Sequence, residues 1–195
     1  MSKYIILILT IIILSCNNQN SDDNLNRLFQ RDLDTYTMAM NEKRWDDALN
    51  MMYPEIFEYA PKEDMVNIFI SMEENGMVIQ TTDISVKNIS QIITFNGLNY
   101  CKLDYQGHLN IDISGEMLTS IDFLKENFNR EFGAENVNYN NNAFSIDATR
   151  SMIAISEANT QNWKYLEFNP QSMQLIASII PVLDQLLLNE TAVTE

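Results

Sequence analysis

Apolar and polar positions alternate with two different periods along this chain, and the changes of period mark out its elements. From Leu25, apolar residues fall at Leu25, Leu28, Phe29, Leu33, Tyr36 and Met40, the spacing of one buried helical stripe. A second stripe, Trp45, Ala48, Leu49, Met52 and Tyr53, follows a polar corner at Asn41-Glu42-Lys43, and Pro54 closes that helix. Pro61 stands where a first helical turn tolerates it, and Met65, Ile68, Phe69 and Met72 predict a third helix. Gly76 is placed to cap it, because glycine takes the left-handed conformation at little cost. The first two helices resemble a tetratricopeptide pair, but no repeat at about 34 residues follows, which excludes that architecture.

The period then drops to two. Ile84 and Val86 alternate with polar residues, and Ile93 and Phe95 resume after a phase slip near Asn88 that a bulge explains. Asn96-Gly97 is a strong hairpin-turn signal. In the strand that follows, Cys101, Leu103, Tyr105, Leu109, Ile111 and Ile113 share one face, which predicts a dry side. Lys102, Asp104, Gln106, His108, Asn110 and Asp112 share the other, the predicted wet side, and Gly107 interrupts the dry one. Ser114 is placed to cap a helix carrying Met117, Ile121, Leu124, Phe128 and Phe132 and ending at Gly133. Residues 136–142 predict an Asn-rich loop, residues 144–156 and 163–168 a strand hairpin, and residues 173–188 a final apolar helix kinked at Pro181. The sum is one α+β domain over residues 25–190, with N-terminal helices and a C-terminal helix packed on a bent antiparallel sheet.

Ahead of this domain, Lys3 precedes an apolar run from Tyr4 to Leu14, broken only by Thr10. That is about half of the roughly 20 residues a membrane-crossing helix needs, and it suits a signal peptide. The run ends in Ile13-Leu14-Ser15-Cys16, which resembles the lipobox of bacterial lipoproteins, with Leu14 where a small residue is commoner. The resemblance implies cleavage after Ser15, lipid on Cys16, and a protein anchored by that lipid in the cell envelope, at the outer membrane. Residues 16–24 are polar and read as a flexible tether. Within them Ser21-Asp22-Asp23 reads either as solvated linker or as the acidic export signal it resembles in some Gram-negative surface lipoproteins.

Charge and cysteine count narrow the function. The chain carries 12 Lys and Arg against 27 Asp and Glu, a formal net charge of −15, and so repels nucleic acid. With Cys16 lipidated, Cys101 has no partner for an intramolecular disulfide and reads as core filler rather than nucleophile. Most of the 11 methionines fall on the helical stripes and read as core too.

Helices followed by a curved meander with Trp163-Lys164-Tyr165 in a late strand resemble the cone-shaped NTF2-like (cystatin-like) fold. The words Tyr53-Pro54-Glu55-Ile56-Phe57 and Pro61-Lys62-Glu63-Asp64-Met65 also resemble uncharacterised lipoproteins with such domains. That resemblance implies a binding module for an envelope protein or an apolar small molecule. The alternative is an enzyme of the ketosteroid isomerase or SnoaL type, which needs an acid or base retuned by an apolar pocket. The dry face supplies Tyr105 and Cys101 but no carboxylate and no histidine, so the concave side is expected to be apolar. His108, the single histidine, is on the wet face, about 23 Å along the strand from Cys101 and about 13 Å from Asp112. Neither pairing makes a catalytic dyad or a metal site. His108 is expected to be a solvated strand residue, and no catalytic, cofactor or metal residue is assigned.

Overall fold

The computed structural model describes residues 19–188. The apolar run, the lipobox-like Ile13-Leu14-Ser15-Cys16 and the lipidation expected at Cys16 lie outside the described residues. Among the described residues no helix is long and apolar enough to cross a membrane.

Helix α1 (Gln19–Asn41) carries the first stripe, with Phe29, Leu33 and Ala39 buried. It begins inside the segment expected to be a tether, several residues before the stripe. Helix α2 (Trp45–Leu49) is shorter than its stripe. Beyond Leu49 the backbone is claimed by a sheet edge: the Tyr53 amide donates to Tyr165 oxygen at 2.9 Å, and the Tyr165 amide to Met51 oxygen at 3.0 Å. Pro54 therefore opens a 3₁₀ turn, Pro54–Glu58, rather than ending a helix. Helix α3 (Lys62–Glu74) follows Pro61 as expected, but none of its residues is buried and Ile68 points outward. Gly76, at φ +96, caps it, and a Cβ there would lie 2.1 Å from the Ser114 carbonyl oxygen.

The sheet is antiparallel throughout. β1 (Met77–Ile89), β3 (Leu98–Ile113), β5 (Ala143–Glu157) and β4 (Val137–Asn140) lie in that order. β2 (Ile93–Phe95) also pairs with β3, and β6 (Lys164–Phe168) with β5. Two register shifts interrupt the β1–β3 ladder, between Thr82 and Ser85 and between Val86 and Asn88, the second being the slip read from the sequence. The Asn96-Gly97 turn joins β2 to β3, pairing Phe95 with Leu98. The Asn-rich segment is not all loop. Val137–Asn140 pairs with β5, and only Asn141 and Asn142, at φ 50 and 61, make the turn, a conformation asparagine tolerates.

Helix α4 (Ile121–Phe132) is preceded by a 3₁₀ segment, Gly115–Ser120, so the expected cap at Ser114 is not formed. The final helix is broken rather than kinked, into α5 (Met173–Ile179) and α6 (Leu183–Leu188). Pro181 forces the residue before it into extended conformation, and Ile180 sits at φ −106, ψ 100.

The dry face of β3 is dry. Cys101, Leu103, Tyr105, Leu109, Ile111 and Ile113 are all buried, under α1 at one end and α4 at the other. The opposite face departs from the sequence reading at one end. There Tyr100, Ile153, Ile155 and Leu166 are buried by α5 and α6, and Lys102 is buried with them. Lys102 Nζ donates to Asp104 at 2.6 Å, which makes its burial tolerable.

Candidate functional site

No residue of α3 is fully buried, though Met72 packs half-buried against the core, and the helix roofs a cavity of about 420 Å³. The walls come from α1, α3, α4 and the concave face of the sheet. Met65, Phe69 and Met72 of α3 face Leu109 and Ile111 of β3 across it. Trp45 stacks on Phe69 at 5.1 Å between ring centres and ties α3 to α2. The volume lies near the lower end of the range of roughly 300–1,000 Å³ for small-molecule sites.

The cavity is not wholly apolar, which corrects the expectation for the concave side. Arg150 of β5, opposite Tyr105 of β3, projects into it. Its Nη1 donates to Glu167 Oε1 of β6 at 2.6 Å, and its Nη2 lies 3.9 Å from Glu131 of α4. The guanidinium rests over the Phe132 ring at 5.2 Å, a cation–π contact. Arg150 Nε is buried with no hydrogen-bond partner. Tyr36 of α1 and Tyr105 complete this polar patch. Burial, reinforced by the negative Glu167, pushes the Tyr36 phenol up to about 12. The same causes raise Tyr105, in the same order. Both phenols are hydrogen-bond donors at neutral pH, not bases.

Arg150 was legible in principle. On β5 the inward positions are Phe144, Ile146, Ala148, Arg150, Met152 and Ala154, so strand parity alone puts a guanidinium among apolar side chains. Glu131 and Glu167 carry no such signal, because only the tertiary packing brings α4 and β6 to Arg150.

The residues weighed from sequence fall elsewhere. Cys101 is fully buried, and burial pushes its thiol up to about 12, so it is core and not a nucleophile at neutral pH. Asp104 binds Lys102 and accepts from Ser151 Oγ at 2.6 Å. His108 is not merely solvated. Its Nδ1 lies 2.8 Å from Asp147 Oδ1 and its Nε2 3.1 Å from Ser145 Oγ, both across the β3–β5 ladder. The order matches a serine–histidine–aspartate relay. Asp147 is exposed, however, and the neighbouring face is strand backbone and polar side chains, without the concave wall that holds an acyl group. The cavity lies on the other side of the sheet. Among the described residues no group of three or more His, Cys, Asp or Glu could hold a metal ion.

No protein-family model matches this chain, and no curated protein matches it.

Proposed function

We propose that this chain is a lipid-anchored protein of the cell envelope whose NTF2-like domain holds an apolar small molecule in the cavity beneath α3. The supporting observation is the cavity itself, about 420 Å³ walled largely by methionine, aromatic and aliphatic side chains under a helix with no fully buried residue. Methionine walls adapt to irregular ligands. The lipobox-like residues ending at Cys16 support the anchor and the outer-membrane address. An isomerase-like or cyclase-like enzyme is the second reading, favoured by an inward carboxylate, Glu167, beside Tyr105. Against it, Glu167 Oε1 is already bound by Arg150 at 2.6 Å and is not free to take a substrate proton.

The test is binding of a neutral apolar dye, N-phenyl-1-naphthylamine, to the full chain in lipid nanodiscs, with empty nanodiscs as blank. One saturable site that Met72→Arg abolishes is expected. Dye uptake no greater than the blank would sink the reading. Metabolic labelling with a fatty-acid analogue, lost in Cys16→Ser, tests the anchor separately.

A further inference from the structure

The start of α1 fixes which end of the domain lies nearest Cys16. The helix begins at Gln19, three residues after Cys16, and three residues of fully extended chain span at most about 11 Å. The domain is therefore held close to whatever holds that cysteine. Side chains on α1 set its direction against β1. Asn41 Nδ2 donates to Thr81 oxygen at 2.7 Å and Gln30 Nε2 to Ile84 oxygen at 2.9 Å, while the Val86 amide donates to Gln30 Oε1 at 2.9 Å. Passing back along the helix is thus passing forward along β1, toward Ile89 and the β2–β3 hairpin beyond it. Phe29 already meets Trp163, the residue ahead of β6, at 5.2 Å between ring centres. Gln19 stands ten residues before Phe29, about 15 Å further along the helix. The N-terminus of α1 therefore leaves the domain at the end where β2 turns into β3 and β5 into β6.

That end is distinct in composition. Charged residues make up 20% of the chain, yet none occurs from Asn88 to Cys101 or from Ala158 to Trp163. The two uncharged segments are neighbours: the Ala158 amide donates to Gly97 oxygen at 2.9 Å, and Asn99 Nδ2 lies 3.5 Å from Ala158 oxygen. Ile92 and Phe95 stand on the first of them, 45% and 40% exposed. Phe123 gives the contrast. It is more exposed still, but it stands between Asp122 and Lys125 on α4, which packs over the far end of β3. Charges resist transfer out of water, so a surface that enters lipid headgroups is best built without them.

We propose that the β2–β3 hairpin and the β5–β6 loop are the membrane-facing end of the domain, with Ile92 and Phe95 in the headgroup region of a zwitterionic bilayer. The formal charge of −15 disfavours an anionic one. This rests on the lipid-anchor part of the reading above and adds the surface that the anchored domain turns to the lipid.

The experiment uses the lipidated full chain in phosphatidylcholine nanodiscs, with the lipid on Cys16 read by mass spectrometry. An NBD fluorophore is placed at Gln91→Cys, Asn159→Cys or Lys125→Cys, one at a time; all three positions are exposed, and buried Cys101 stays unlabelled. Spin-labelled phosphatidylcholine should quench the first two at least about threefold more than the third. Ile92→Ser combined with Phe95→Ser, both at exposed positions, should cut the quenching at Asn159→Cys by about half or more. Quenching equal at all three sites, or unmoved by the double substitution, overturns this surface, while lipid on Cys16 leaves the anchor standing. A mature chain without that lipid overturns both.

Discussion

The two helical covers of the sheet are built to different standards. On one face α5 and α6 drive Ile176, Ile179, Leu183 and Leu186 into Tyr100, Ile153, Ile155 and Leu166, and all of these are buried. On the other, no residue of α3 is fully buried; Met72 packs half-buried against the core, while Ile68 is 58% exposed and Ile70 40%. What holds α3 is peripheral: Lys43 to Glu73 at 2.7 Å, Lys62 Nζ to Asn50 at 2.6 Å, and the Trp45–Phe69 stack. A surface ion pair such as Lys43–Glu73 contributes about 0–1 kcal/mol, whereas a single buried leucine or isoleucine contributes roughly 1.5–3 kcal/mol. The difference teaches where stability and adaptability reside. The first cover fixes the fold, and the second is free to fit what lies beneath it.

The comparison breaks most sharply in the first cover. Leu186→Asp places a carboxylate in a fully buried cluster and should cost several kcal/mol, a large share of the roughly 5–15 kcal/mol of a typical domain. Loss of the cooperative melt by circular dichroism is expected; a melting temperature within a few degrees of wild type would show that this cover is dispensable. Between the two covers, Leu103→Ala removes a fully buried side chain from the sheet and should cost about 2–5 kcal/mol in urea unfolding.

A pH titration sharpens the same contrast. Cys101 is raised from 9.0 to about 12 by burial, so its stabilising contribution is complete below pH 9 and lost as pH rises toward 12. The urea midpoint should hold to about pH 9 and then fall, and Cys101→Ala should delay the fall until the tyrosines titrate near 10. An unchanged onset in the variant would remove Cys101 from the account. In the second cover, Phe69→Ala should weaken dye binding severalfold while moving the melting temperature by only a few degrees. The smallest effect is expected at Ile68→Ser, within about 0.5 kcal/mol of wild type by urea unfolding, since the side chain already meets water.

Period was legible where one element meets one environment. The dry face from Cys101 to Ile113, the Asn96-Gly97 hairpin and the Gly76 cap could be read because each is set by neighbours in sequence. Lys102 could not, because its burial comes from α5 and α6, some seventy residues later. β4 was hidden by composition: Asn138 and Asn140 face outward, and only Val137 and Tyr139 mark the strand. The site was half legible. The stripe Met65, Phe69 and Met72 is legible, and Met72 does pack against the core, but period cannot tell that Met65 and Phe69 face a cavity rather than other core side chains. His108 acquired its partners, Asp147 and Ser145, only once β3 and β5 were in register.

Gly76 has a mechanical consequence. Its carbonyl accepts the Ser114 amide at 2.7 Å, and Asn75 oxygen accepts the Met117 amide at 3.3 Å, so the end of α3 is pinned to the segment that leads into α4. No side chain fits at that pin, with Ser114 oxygen 2.1 Å from where a Cβ would stand. The roof of the cavity is thus clamped through backbone at Gly76 and held near Lys62 through side chains. At the far end Lys62 Nζ bonds Asn50 at 2.6 Å and lies 4.8 Å from the centre of the Phe57 ring, so shortening that one side chain, unlike any change at Gly76, would leave the backbone path of the roof intact.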